Sequence, residues 1–103
     1  MRFVSLVPCL AIACGAPDLE GACKDFVAAA NSCSQVHADA KGSQANAIDP
    51  SLCVSDTSDA SHDDLQAGVD RYDCKAEAFG NADCSTDDGF ESAVAADAAC
   101  DQA

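Results

Sequence analysis

Six cysteines, at positions 23, 33, 53, 74, 84 and 100, run through a stretch of chain that has little else from which to build a core. The hydrophobic share of 49% overstates the apolar bulk, because 22 of the 103 residues are Ala. From Cys14 onward there are nine Leu, Ile or Val and three Phe in 90 residues. That falls below the roughly 20% under which a strongly charged chain is expected to stay disordered. The same stretch holds 18 acidic against 4 basic residues, a net charge of −14. A chain of this kind buries too little apolar surface to offset its conformational entropy.

Oxidised sulfur makes up the shortfall. A disulfide contributes about 2–4 kcal/mol, mostly by restricting the unfolded chain, and three together rival the whole net stability of a small domain, about 5–15 kcal/mol. Small exported domains with thin cores rely on such staples. The spacings of 9, 19, 20, 9 and 15 residues contain no C-x2-C or C-x4-C pair, which argues against zinc. The acidic surplus excludes nucleic acid as a partner, since phosphates demand a basic face.

Periodicity predicts an all-α fold, a small disulfide-stapled bundle of about three helices with a long loop between the first two. The first helix is expected over residues 17–38, with Pro17 in its first turn. Leu19, Cys23, Phe26, Val27, Ala30 and Cys33 share one stripe. The second is expected over 62–82, with Ser61 as N-cap and Asp63 and Asp64 beside the positive end of the helix dipole. Its stripe is Leu65, Val69, Tyr72, Ala76 and Phe79, interrupted by Gly68, and Cys74 lies on the opposite face. That division of labour suits a helix with neighbours on both sides. The third is expected over 86–101, with Phe90, Ala93, Val94 and Cys100 on one face; S-x-D-D opens this segment as it opens the second. Between the first two helices lies a polar, turn-rich stretch with an apolar island of Ile48, Leu52 and Val54 around Cys53.

Geometry restricts the bridges. Cysteines ten positions apart on one helix are about 15 Å distant, whereas a disulfide needs Cα atoms within about 7 Å. Cys23–Cys33, Cys74–Cys84 and Cys84–Cys100 are therefore excluded, which leaves about eight of fifteen connectivities. An antiparallel first pair favours Cys23–Cys84 and Cys33–Cys74, with Cys53–Cys100 tying the loop to the last helix. The twin C-x9-C segments CKDFVAAANSC and CKAEAFGNADC also resemble in geometry the helical hairpins of the mitochondrial coiled-coil-helix family. Here 40 residues separate Cys33 from Cys74 in place of that family's short turn, and no activity is carried over.

The N-terminus points to export. Met1 and Arg2 precede the uncharged FVSLVPCLAIA, too short to span a bilayer, and the pattern of charged start, apolar run and small-residue exit is that of a signal peptide over residues 1–13. Ala11-Ile12-Ala13 suits ordinary cleavage. The stretch Leu10-Ala-Ile-Ala-Cys14 also resembles the lipobox of bacterial lipoproteins, departing from it at Ala11, where a larger aliphatic is usual. That resemblance implies a diacylglyceryl group on Cys14 and a mature domain of residues 14–103. Gly15 after the cysteine then implies an outer-membrane or cell-surface destination. Cysteine parity agrees: cleavage before Cys14 removes Cys9, and lipid on Cys14 leaves six cysteines for three bridges.

Little catalytic material is present. His37 and the triplet His62-Asp63-Asp64 are the only general-base candidates beyond lone carboxylates, with no evident cleft or nucleophile. Asp56, Asp59, Asp63, Asp64, Asp87 and Asp88 bring calcium to mind, but their spacing is not that of a calcium loop. The expectation is therefore a non-catalytic envelope protein without cofactor or metal, which meets the membrane through its lipid anchor, or an unidentified protein partner. The alternatives are a freely secreted effector, inhibitor or toxin-like protein, and a weak calcium binder.

Overall fold

Each periodic segment carries its own start signal, and the chain uses all three. In a computed structural model, which describes residues 17–54 and 57–102, the helices are α1 (Leu19–Lys41), α2 (His62–Gly80) and α3 (Asp87–Cys100), and a 3-10 turn spans Pro50–Cys53. No strand occurs among the described residues. The fold is the expected all-α, disulfide-stapled bundle. Pro17 sits just outside α1, because Asp18 takes the cap and accepts a 2.9 Å hydrogen bond from the Gly21 N–H. Ser61 caps α2 by accepting from the Asp64 N–H.

The second S-x-D-D segment is used differently from the first. In α3 the cap moves one residue along to Thr86, whose hydroxyl accepts from the Gly89 N–H at 3.0 Å. A side chain at Gly89 would run into the Asp83 carbonyl, so the tight α2–α3 turn needs a glycine there. α1 ends at Gly42, whose φ of 70° is left-handed. The Ser43 N–H bonds to the Ala38 carbonyl at 2.8 Å and the Gly42 N–H to the Asp39 carbonyl at 3.2 Å, the two bonds of a Schellman termination.

α2 lies between the other two helices. Leu19 rests over Gly68, Phe26 meets Tyr72 and Phe79, and Cys33 reaches Cys84 just past the end of α2. Positions thus rise together along both helices, and α1 and α2 are parallel. The 20-residue connection makes this feasible: α1 is about 35 Å long, and a connection of that length can return along its side. It does so. Ile48 is pinned level with Asn31 by two hydrogen bonds, of 2.8 and 3.0 Å, and Cys53 is bonded to Cys23 two turns nearer the N-terminus. α3 then runs antiparallel to α2, with Cys74 bonded to Cys100 and Ala82 packed near Ala93.

This arrangement corrects the expected bridges. The pairs are Cys23–Cys53, Cys33–Cys84 and Cys74–Cys100, with Cα separations of 5.5, 5.3 and 5.9 Å. None of Cys23–Cys84, Cys33–Cys74 or Cys53–Cys100 forms. The first two of those pairs require α1 and α2 to be antiparallel, and the third requires Cys53 to lie beside the end of α3. With the two helices parallel, Cys33 lies level with the end of α2 and the loop brings Cys53 to Cys23. The exclusion of bridges within one helix holds.

Sulfur is the core. One buried cluster consists of Cys23, Val27 and Cys53 under Phe26 and Tyr72; the other is Cys33, Cys84 and Ala93 under Phe79, Ala82 and Phe90. α2 contributes no fully buried residue of its own, since its half-buried stripe is covered by α1 and Cys74 stays exposed on the far side. Val94 does not join the face of α3 expected for it, and is 44% exposed. α3 packs mainly on α2, so only the narrow line of Ala93 and Cys100 is covered.

Lys75 fastens the bundle across this sparse middle. Its ammonium lies 5.5 Å from the centre of the Phe26 ring on α1 and donates to two carboxylates at the end of α3, Asp101 at 3.0 Å and Asp97 at 3.3 Å. Burial acts to lower the Lys75 pKa, but the hydrogen bonds and charges of Asp101 and Asp97 together outweigh it, and the net shift is upward.

Candidate functional site

The parallel pairing gathers the starts of α1 and α2 at one end of the molecule, and the chain enters there. Pro17 is the first described residue at this end. The returning loop also finishes here, and it is held firmly: Asp49 caps the 3-10 turn by accepting from the Ser51 N–H at 2.9 Å, and Cys53 is buried against Cys23. The Ser51 hydrogen bonds hold the Asp49 carboxyl below its ordinary pKa. Of the apolar island read in the sequence, only the cysteine points inward. Leu52 is 73% exposed and Val54 63%. Acidic side chains ring the same end, with Asp18 and Glu20 at the start of α1 and Asp63 and Asp64 in the first turn of α2. They face the positive poles of two helix dipoles. Cys14, the expected lipidation site, and the signal segment lie outside the described residues, as does Asp56.

The opposite end holds a second cluster. His37 of α1 stacks on Phe90 of α3 with ring centroids 4.1 Å apart and planes within 1°. The ring donates from Nε2 to Asp87 Oδ1 at 2.8 Å, and the Lys41 ammonium reaches the same oxygen at 3.1 Å. The His37 hydrogen bond first, then Lys41, lowers the Asp87 pKa. With one nitrogen on Asp87 and one face on Phe90, the imidazole ties the end of α1 to the start of α3. His62 sits in the first turn of α2, exposed, with Nδ1 3.9 Å from Asp63. No local pattern announces the His37–Asp87 contact, because 50 positions separate the two residues.

The aspartates singled out for calcium do not converge. Among the described residues no group of three or more His, Cys, Asp or Glu side chains is arranged to hold a metal ion. Asp87 is engaged by His37 and Lys41, and Asp59, Asp63, Asp64 and Asp88 are exposed. An open groove of about 420 Å³ runs between α2 and α3 beside Cys74–Cys100, floored by Ala78, Ala82, Ala93 and Ala96. Its floor is small and apolar, and Glu77, Asn81 and Ser92 also line it. None of the described helices is long and apolar enough to cross a membrane.

The six cysteines downstream of Cys14 all pair with one another. Cys14 therefore has no partner among them. The chain matches no family model, no curated protein and no solved structure.

Proposed function

We propose that the chain is an exported, lipid-anchored acidic protein of a bacterial envelope, with a binding or structural role and no catalysis. The observation that carries this reading is the exhaustion of the downstream sulfurs in three bridges, which leaves Cys9, inside the signal-like segment, and Cys14, in the lipobox-like stretch that would account for it. Three disulfides inside a core this thin also suit an oxidising compartment outside the cytosol. The diacylglyceryl group would sit at the extreme N-terminus of the mature chain, three residues before Pro17, and hold an acidic domain that charge alone would not draw to an anionic surface.

Intact mass of the exported protein, measured before and after reduction, tests this. An anchored protein begins at Cys14, carries the added mass of acyl chains, and gains six hydrogens on reduction. An unmodified Cys14 at the N-terminus overturns the anchor and leaves the freely secreted protein, which Ala11-Ile12-Ala13 favours as a cleavage site.

A further inference from the structure

Leu52 and Val54 are the two most exposed large hydrophobic side chains among the described residues. They flank a buried cysteine in a segment tied to α1 at two points, Ile48 by Asn31 and Cys53 by Cys23, with the Asp49–Ser51 hydrogen bond shaping the turn between them. Two aliphatic side chains held outward on a rigid support, in a protein with few others, mark a contact surface. Their position names the partner. Cys53 lies 5.5 Å from Cys23, which is one helical turn from Leu19, and Pro17 is two residues further back. Cys14 is at most about 11 Å from Pro17 at 3.8 Å per residue. Cys53 is level with Tyr72, ten residues along α2 from His62 and so about 15 Å from that tip, and a lipid on Cys14 would bring a bilayer against the flank that displays Leu52 and Val54 once the bundle lies over on that side.

We infer that Leu52 and Val54 form a wedge that enters the surface of the membrane to which Cys14 is tethered, fixing the domain's tilt where a lipid alone would leave it swinging. This rests on the anchoring proposed above and specifies what the anchored end touches. Asp18 and Glu20 at the start of α1 oppose contact with an anionic surface, so the wedge is expected to enter uncharged lipid most readily and to depend on the Cys14 tether where the surface is anionic. Penetration is shallow, of the order of 5–10 Å, as for other interfacial side chains.

The chain has no Trp, so a single indole reports one place. Leu52→Trp puts it in the wedge. Val36→Trp puts it near the far end of α1, at a position 43% exposed. The full exported protein, bound to phosphatidylcholine vesicles with brominated acyl chains, is expected to show Leu52→Trp emission shifted to the blue and quenched, with Val36→Trp unaffected. Equal quenching at both positions, or none at either in vesicle-bound protein, overturns the wedge. A blue shift without quenching also overturns it, since a second copy or another part of the chain would then cover Leu52. Should intact mass show Cys14 without acyl chains, its thiol is coupled to a maleimide phospholipid and the quenching is read on that tether. Failure of the anchor and failure of the wedge are thereby separate results.

Discussion

Removing the Cys33–Cys84 bridge is the sharpest test of a core made from sulfur. The bridge closes a 51-residue span, and the chain-entropy relation gives about 4 kcal/mol for freeing a loop of that size at 25 °C. Both sulfurs are buried, at 4% and 5% exposure, beneath Phe79 and Phe90. Deleting them adds roughly 1–2 kcal/mol of lost packing. Cys74–Cys100 is a useful comparison, because it closes only 26 residues, about 3.5 kcal/mol, and its Cys74 is already exposed. The double variant Cys33→Ala/Cys84→Ala is therefore expected to be destabilised by about 5–6 kcal/mol, and Cys74→Ala/Cys100→Ala by about 4. Urea denaturation followed by far-ultraviolet circular dichroism resolves the difference, which amounts to about 1 M in midpoint. A Cys74–Cys100 deletion costing more than the Cys33–Cys84 deletion would refute the reasoning. So would full reduction and alkylation that left helicity and midpoint intact.

Two glycines in the turns should respond unequally to Ala. Gly42→Ala meets no neighbour and bears only the left-handed backbone, a loss of about 1 kcal/mol, whereas Gly89→Ala must displace the Asp83 carbonyl and should lose about 1–3 kcal/mol in the same denaturation assay. The melting temperature should be level across neutral pH and fall on both sides. Asp49, Asp83 and Asp87 have lowered pKa values when folded, held mainly by hydrogen bonds from Ser51, Ser85 and His37. Their stabilisation is complete above 3.8 and is lost as pH drops below it. Lys75 has a raised pKa, so its contribution is complete below 10.5 and is lost as pH climbs beyond it. A thermal melt series across pH in wild type and Lys75→Met checks the alkaline limb, whose fall should be shallower in the variant.

What the sequence disclosed and what it withheld divide by distance along the chain. The three helices could be read because their signals are local: the stripe from Leu19 to Cys33, the cap at Ser61, the acids behind it. The same locality placed Cys74 off its helix's apolar face, and α3 takes it up there. Bridge pairing could not be read, because it turns on whether α1 and α2 are parallel. That is decided by where a loop of polar residues lies down, through contacts such as Asn31 with Ile48. The 20-residue length of the connection was the available clue, being ample for a return along α1 and more than a tight antiparallel turn requires. The repeated S-x-D-D carried no information on which residue caps: Ser61 caps α2, whereas Ser85 bonds to Asp83 and Thr86 caps α3. At the chain-entry end the island around Cys53 was visible. That Leu52 and Val54 face outward was not, since a pattern of three apolar residues and a cysteine carries no direction until the disulfide fixes one.

The bridges overlap in order along the chain: Cys23–Cys53 begins before Cys33–Cys84, which in turn ends after Cys74–Cys100 has begun. Every peptide bond between Cys23 and Cys100 is thus enclosed by at least one of them. A protease that nicks the exposed loop once, anywhere in that interval, adds a water and releases no fragment. The nicked molecule keeps both ends joined, and everything beyond Cys23 stays attached to whatever holds the N-terminus.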